Sequence, residues 1–378
     1  MGTTMKTLWR SYLSNYWLVG ATFGLPVILS LMIWWVFSAS VVRELPIDVV
    51  DLDQSSLSRM ITRNYDATPT LQVRSIQQSI PFANTALKDR HNYGYVIIPA
   101  NFEKDVLLGK SPNISGFYNA QYILIAKQIS SALLQTDMTI QAQLSTIKTL
   151  STHETTWTQA INTAVPINVQ ITPLFNLGSN YNQFLLSAIL PAIWQMAMIV
   201  GMIWAMNNAM KIENQSSLRS WFDHQTKNTM MQFVGFYFFI FMFVGSILFV
   251  FLYKILGFPF LANIPEFLLI MSAMTLACIS LGVLIAYVTN DIVKAMSISG
   301  AYTAPSFAFL GVTFPVTDMN SIATFWHSIL PASHFVRAQI EQTNYGYNLI
   351  QSIPNVMALS LFLVPLLILT ARLRKSNA

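Results

Sequence analysis

Residues 23–42 read FGLPVILSLMIWWVFSASVV, and no Asp, Glu, Lys, Arg or His occurs between Arg10 and Arg43. At a helical rise of about 1.5 Å per residue, about 20 such residues cross a hydrocarbon core about 30 Å thick. Later stretches pass the same test at residues 183–206, 231–253, 267–287, 295–313 and 356–370. The sequence therefore predicts an α-helical integral membrane protein with six transmembrane helices.

The composition supports a membrane protein. Hydrophobic residues make up 53% of the 378 residues and charged residues only 10%, whereas a soluble domain has about 25% charged residues. A cleaved signal peptide is the alternative for the first apolar stretch, but that stretch is longer than an h-region of about 7–15 residues. Cys278 is the single cysteine, so cysteine usage gives no information about the redox compartment.

Basic residues predict the orientation of the spans. One side of the predicted membrane carries Lys6, Arg10, Lys211, Arg219, Lys227, Lys294, Arg372, Arg374 and Lys375. The short loops of the other side carry only Lys254 and Arg337. The positive-inside rule therefore places both termini in the cytoplasm. The formal net charge of +5 then reflects membrane topology, and we expect no nucleic-acid partner.

The polar stretch of residues 43–180, between the first and second predicted spans, is expected to be an extracytoplasmic α/β domain. Strands are predicted at residues 46–52, 71–75, 93–98 and 114–118. Short helices are predicted between them at residues 55–64, 83–90 and 102–108. A segment without Gly or Pro at residues 121–150 predicts a long helix, and residues 165–175 are expected to return as an extended segment. Residues 181–378 then form a five-helix transmembrane domain.

The segment before the first span, residues 1–18, is predicted to form an amphipathic helix in the plane of the cytoplasmic interface. Apolar side chains recur at helical spacing: Met5, Leu8, Trp9, Tyr12, Leu13, Tyr16 and Trp17. The alternative is a frayed continuation of the first span, which is predicted over residues 19–42. An interfacial helix would be available to a soluble partner, with Trp9 and Arg10 as candidate contact residues.

Three local motifs occur along the chain. They are residues 47–55 (IDVVDLDQS) with Ser58, residues 93–99 (YGYVIIP) with Phe102, and residues 311–315 (GVTFP) with Leu330, Pro331 and Arg337. With one span, a large external domain and five further spans, the chain resembles the permease subunit of an ABC exporter of the type-two, or type V, membrane-domain class. The resemblance covers essentially the whole chain and implies a broken re-entrant segment near residues 311–337 on the external side. Asn320 follows Met319 where a proline is common in that family.

The sequence contains no G-x-x-x-x-G-K-[ST] phosphate loop, so we expect this chain to bind no cofactor and ATP to bind to a partner subunit. The resemblance implies a separate ABC ATPase that docks on the loop of residues 207–227. The candidate coupling residues are Arg219, Trp221, Phe222, Asp223 and His224, with Trp9 and Arg10 alongside. The alternative is an ordinary positively charged loop. A second copy or a paralogous permease and a periplasmic adaptor are further expected partners, in a bacterial inner membrane.

Candidate pathway residues lie in the second and fifth predicted spans. Trp194 and Met196 are candidates because Met and aromatic residues suit an adaptable apolar route; packing is the alternative. Pro191 and Pro305 are candidates because proline kinks or breaks helices.

No catalytic or metal-binding motif occurs, since the histidines form no H-E-x-x-H and none pairs with another at i+3 or i+4. The predicted function is therefore a transporter permease rather than an enzyme. The span cores carry no charge of the kind that marks ion pathways, so a hydrophobic or amphiphilic substrate is expected. The alternative function is a non-transporting membrane scaffold or secretion-accessory protein.

Overall fold

The computed structural model describes residues 5–38, 43–108, 110, 112–152, 174–176 and 180–373. The chain divides into two compact units, Met1–Ser40 with Pro173–Ala378, and Val41–Thr172. Within the described residues, five helices of the first unit are long and apolar enough to cross a membrane. They are called the first, second, third, fourth and last spans: Tyr16–Val36, Tyr181–Ile212, Lys227–Ile255, Ile264–Thr289 and Ile353–Ala371.

Three of these spans are irregular. The first contains a π-helical turn at Gly20–Gly24, and the third ends in another at Phe251–Ile255. The last span consists of Ile353–Leu361 and Val364–Ala371. Pro365 lies in the first turn of the second piece. Backbone N–H groups in a first turn make no hydrogen bond within the helix, so the missing proline N–H costs none.

The predicted span over residues 295–313 is not one helix. Its place is taken by a longer broken segment, residues 292–343. This segment contains the helices Ile292–Thr303, Ser306–Phe309, Ser321–Ile329 and Pro331–Thr343 and the 3-10 turn Val316–Asp318. Helix Ile292–Thr303 ends just before Pro305, which has no N–H to donate and whose ring clashes with the preceding turn. The sequence predicted one continuous span here because apolar composition alone does not detect such a break. A sixth membrane crossing remains a prediction.

The second span packs against the first, third and fourth spans and the broken segment. Glycines on its neighbours permit close approach. A Cβ atom added at Gly245 would lie 2.4 Å from the Trp194 ring, and one at Gly282 would lie 2.8 Å from Met202 Cβ. Small residues at such contacts are typical of membrane bundles, which depend on van der Waals packing between helices. The second span is thus the core of the first unit.

Gln195 of the second span holds the broken segment. Its side chain is fully buried; Nε2 donates to Ser306 Oγ at 3.0 Å, and Oε1 accepts from the Ala332 N–H at 2.7 Å. Ala332 lies in the first turn of helix Pro331–Thr343, where backbone N–H groups have no partner inside the helix. Because backbone groups in apolar surroundings must be paired, Gln195 stabilises the segment at two points.

A charged network joins the same helix to the last span. Arg337 Nε donates to Glu341 Oε1 at 3.1 Å, and Asn355 Nδ2 donates to the other Glu341 oxygen at 2.8 Å. The arginine side chain is largely exposed, whereas that of Glu341 is mostly buried. Glu341 therefore ties the end of the broken segment to the start of the last span.

The second unit is an α/β fold. Its strands are β1 (Leu45–Asp51), β2 (Leu71–Gln77), β3 (Gly94–Ile98) and β4 (Ser115–Tyr118), in the sheet order β2-β1-β3-β4. β1 pairs in parallel with β2 and β3, and β4 is antiparallel to β3. The helices are Ser56–Asp66, Ile80–Lys88, Phe102–Leu107 and Ile123–Thr152. Each overlaps a predicted helix, and each strand overlaps a predicted strand. Residues 165–173 of the predicted extended return lie outside the described residues.

Buried polar side chains connect the elements of this unit. Asp48 of the central strand accepts from Ser75 Oγ at 2.7 Å and from Asn92 Nδ2 at 2.6 Å. The Tyr65 hydroxyl donates to Asp137 on the long helix. Burial raises the pKa of both Tyr65 and Asp137, and the hydrogen bond between them fixes helix Ser56–Asp66 against the long helix.

Gly245 and Gly235 provide a matched pair of variants in the third span. Gly245→Ala is expected to destabilise the purified chain by about 1–3 kcal/mol, because the added methyl group overlaps the Trp194 ring. Gly235→Ala is the control, since its added Cβ has no atom within 4 Å, and alanine favours a helix over glycine. Thermal unfolding in detergent measures the difference. Equal unfolding midpoints for the two variants would contradict the close packing of Trp194.

Candidate coupling surface and pathway residues

The loop between the second and third spans contains a short helix, Leu218–His224, here called the loop helix. Ser217 caps it by accepting the Ser220 N–H. Trp221 and Phe222 are only 2% and 1% exposed, and their rings pack against other aromatic rings of the bundle. The two aromatic residues predicted to contact an ATPase therefore anchor the loop helix, and any contact that they influence is indirect.

The outer face of the loop helix carries the charged candidates Arg219, Asp223 and His224. Arg219 is held most closely: its guanidinium donates to the Tyr287 and Val288 carbonyls at 3.3–3.4 Å and lies 5.1 Å from the centre of the Tyr287 ring. Carbonyls at a helix C-terminus lack intrahelical donors and favour a cation. Arg219 thus fastens the loop helix to the end of the fourth span, while Asp223 and His224 face outward.

The N-terminal helix, Met5–Ser14, ends before the predicted segment of residues 1–18 does, and residues 1–4 lie outside the described residues. Asn15 interrupts it, because the Asn15 side chain accepts the Leu18 N–H at 3.1 Å and caps the start of the first span. Tyr16 and Trp17, which the periodicity placed on the apolar face of this helix, belong to the first span and are largely exposed. The candidate contact residues Trp9 and Arg10 lie on exposed positions of the N-terminal helix.

Tyr12 fixes the N-terminal helix to the first span. Thr22 Oγ1 donates to the Leu18 carbonyl, so its oxygen is left to accept the Tyr12 O–H at 2.7 Å. Burial raises the pKa of the Tyr12 phenol, and the hydrogen bond to Thr22 opposes this in part. The phenol is therefore neutral, and acts as a donor, at physiological pH.

A second set of hydrogen bonds attaches the N-terminal helix to the second span. Asn15 Nδ2 donates to Asn208 Oδ1 at 3.0 Å, and Asn208 Nδ2 donates to Ser11 Oγ at 3.0 Å. The helix is thereby connected to the first two spans by side chains that are polar in an otherwise apolar stretch.

A chain of aromatic rings joins the N-terminal helix to the loop helix through the third span. It runs through Trp9, Tyr12, Phe236, Tyr237, Phe233 and Trp221, with neighbouring ring centres 5.0–6.2 Å apart. Aromatic pairs at such separations attract one another beyond simple burial. The two predicted contact elements therefore share one packed base. Their exposed residues Trp9, Arg10, Arg219, Asp223 and His224 are called the coupling surface.

The four candidate pathway residues have different environments. Trp194 is 1% exposed, and its indole N–H donates to the Phe241 carbonyl at 3.0 Å. Pro191 is also buried, Met196 is 37% exposed, and Pro305 lies half-buried at the break after helix Ile292–Thr303. The structure gives Trp194 a packing role within one chain, and a pathway role for the four residues remains a prediction.

A comparison of the sequence with protein families identifies the family of this chain. A model described as ABC-2 family transporter protein (ABC2_membrane_3) matches residues 16–372. The chain belongs to the ABC-2 family. No curated protein and no solved structure matches it. The resemblance found in the sequence is confirmed: the protein is a multi-pass membrane permease of a transport system, of a family that typically works with an ABC ATPase subunit.

Sequence reasoning missed the polar contacts that hold this ABC-2 permease together. Gln195 and Asn208 are polar residues within an apolar span, and that contrast alone would have marked them. His327 and His334 have ring centres 5.9 Å apart, and each donates a ring N–H to a backbone carbonyl. Within the described part of the chain, no group of three or more metal-ligating side chains occurs.

Tyr12→Phe tests the docking of the N-terminal helix in the ABC-2 permease. Loss of the hydrogen bond to Thr22 is expected to weaken docking by about 0.5–1.5 kcal/mol, which raises amide hydrogen exchange in Met5–Ser14 by about 2- to 10-fold. Tyr16→Phe is the control, because Tyr16 is 86% exposed. An unchanged exchange rate in Tyr12→Phe, or an equal rise in both variants, would contradict this role of Tyr12.

Proposed function

We propose that this permease is the membrane subunit of an ATP-driven exporter, energised by a separate ABC ATPase that docks on the coupling surface. The observation that carries the proposal is the aromatic chain that joins the exposed N-terminal helix and loop helix to the third span. Close-packed interiors transmit displacement because they compress little. A movement of the ATPase would therefore reach the spans. ATP would bind to the partner.

The loop helix is the element that would transmit this movement. Trp221 packs against Phe233 of the third span, and Phe222 packs against Tyr287 of the fourth. Arg219 adds hydrogen bonds to the end of the fourth span. A displacement of the loop helix would thus carry the adjoining ends of both spans together.

Two permeases, identical or paralogous, would enclose one pathway.

The proposed substrate is hydrophobic or amphiphilic. Residues 181–210, 228–253 and 267–290, which form most of the second, third and fourth spans, contain no Asp, Glu, Lys or Arg. Ionisable groups within a membrane typically mark ion pathways and proton relays, so their absence from these stretches supports a substrate that needs no buried charge. Residues 41–172 would form an external domain that receives the substrate or binds a periplasmic adaptor.

Asp223→Arg tests the coupling surface. The variant reverses one exposed charge and leaves the anchors Trp221 and Phe222 intact. A basic ATPase residue that pairs with the Asp223 carboxylate would face a like charge in the variant, which is strongly unfavourable. We therefore expect affinity for the co-expressed ATPase to fall about tenfold, a change of about 1.4 kcal/mol, with an unchanged unfolding midpoint.

Two variants control this experiment. Asp89→Arg makes the same reversal at an exposed position of the second unit and should leave ATPase binding unchanged. Trp221→Ala should instead destabilise the chain by about 3–5 kcal/mol, as for other buried aromatic residues. ATPase binding and ATP-dependent export that survive Asp223→Arg would refute the coupling surface. A chain that co-purifies with no ATPase would support the scaffold function.

Cysteine labelling tests the proposed orientation. Cys278 is fully buried and gives a low background, and Ser115 and Ser216 are exposed positions. In intact cells or right-side-out vesicles, an impermeant maleimide is expected to label Ser115→Cys and to spare Ser216→Cys until the membrane is permeabilised. The reverse pattern would show that residues 41–172 face the cytoplasm.

A further inference from the structure

A lateral groove lies between the third, fourth and last spans. Its volume is about 610 Å³, which is within the range of about 300–1,000 Å³ found for ligand sites. Most of its wall is apolar, including Met231, Val234, Phe238, Leu276 and Leu366. An apolar groove on this scale suits a hydrocarbon chain.

One end of the groove is polar and cationic. Lys227, the first residue of the third span, lines it there together with Thr370 near the end of the last span. The ion pairs recorded among the described residues are Lys110–Asp105 and Arg337–Glu341, so the Lys227 ammonium has no acidic partner in that part of the chain. Exposed Arg372 follows the last span, and Arg374 and Lys375 come next in the sequence.

The length of the groove matches one leaflet of a bilayer. Residues 227–238 of the third span rise about 16 Å at about 1.5 Å per residue. This is about half of a hydrocarbon core about 30 Å thick. A cation at the membrane-surface end of an apolar groove of this depth has the arrangement needed to bind an anionic headgroup and its acyl chain. Basic pockets between transmembrane helices bind anionic lipid headgroups for the same electrostatic reason.

Gly235 forms an open part of the wall. A Cβ atom added there would have no atom within 4 Å, in contrast to Gly245 in the same span, whose added Cβ would meet the Trp194 ring. The missing side chain at Gly235 therefore widens the groove and serves no close helix contact within the chain.

We propose that this groove binds one anionic phospholipid, with its phosphate at Lys227 and one acyl chain lying past Gly235 towards Phe238. The site is separate from the coupling surface. The bound lipid would fill the space between the third and last spans, and would stabilise the start of the third span next to the loop helix. The permease would then be more stable in a membrane that contains anionic lipid.

Native mass spectrometry of the purified full chain tests this site with phosphatidylglycerol and phosphatidylcholine of identical acyl chains. Wild type is expected to retain phosphatidylglycerol preferentially. Lys227→Gln should reduce that preference about fivefold, the change typical of one basic residue at an anionic surface. Lys294→Gln is the matched control, because Lys294 is an exposed cation that does not line the groove. Gly235→Leu should reduce retention of both lipids by filling the groove, whereas Gly20→Leu, at an equally open glycine of the first span, should not.

The outcomes separate a lipid from other occupants. An unchanged phosphatidylglycerol preference in Lys227→Gln, or an equal loss in Lys294→Gln, would overturn the proposal. If Gly235→Leu lowers export or dimer content and leaves lipid retention unchanged, the groove belongs to the substrate or to a second copy, and the lipid site is refuted. Should Gly235→Leu not fold, the two lysine variants still decide the question. The lipid-retention measurements require no ATPase, so failure of the lipid site is distinct from failure of the exporter function.

Discussion

Unpaired backbone groups in apolar surroundings cost several kcal/mol, and this constraint governs the first unit. The broken segment exposes helix ends where a continuous span would have none. Gln195 pairs the Ala332 N–H and the Ser306 hydroxyl from the neighbouring second span. One amide side chain, projecting from the most buried of the five spans, therefore supplies a donor and an acceptor to the broken segment on the C-terminal side of Pro305. The position of the second span in turn depends on close contacts such as that between Trp194 and Gly245.

Aromatic packing and hydrogen bonds together organise the proposed coupling region. The N-terminal helix and the loop helix are distant in sequence, yet both rest on the aromatic side chains of the third span. Hydrogen bonds fix the positions of the two helices on this base: Tyr12 binds Thr22, and Arg219 binds the carbonyls at the end of the fourth span. Aromatic residues thus form the base of the region, and the charged residues that remain outside are those that we propose to bind the ATPase.

Glycine has two opposite uses within the third span. At Gly245 it lets a large indole ring approach the backbone, which joins two helices tightly; at Gly235 it leaves space beside the helix. The first use makes the bundle rigid. The second forms a groove whose end carries Lys227. Both glycines look alike in the sequence, and only the positions of the neighbouring spans distinguish them.

Much of the architecture could be predicted from sequence, because local chemistry determines it. Long charge-free stretches identified most of the spans, alternating strand and helix patterns identified the elements of the second unit, and the helix predicted over residues 55–64 is found at Ser56–Asp66. Errors arose where two local signals compete. The apolar periodicity continues past residue 14, but the capping side chain of Asn15 ends the N-terminal helix there. Apolar composition likewise continues past residue 303, but Pro305 breaks the helix.

The sequence by itself determined that this is a helical membrane protein of a permease family, where most spans lie, and which loop carries the coupling candidates. Only the tertiary structure decided which side chains face inward. Hydropathy measures the free energy of transferring a side chain from water to an apolar environment. A bilayer and a protein interior provide that environment equally well. Trp194 and Met196 of the second span therefore look equivalent as sequence, whereas the packing of neighbouring helices buries the tryptophan and leaves the methionine at the surface.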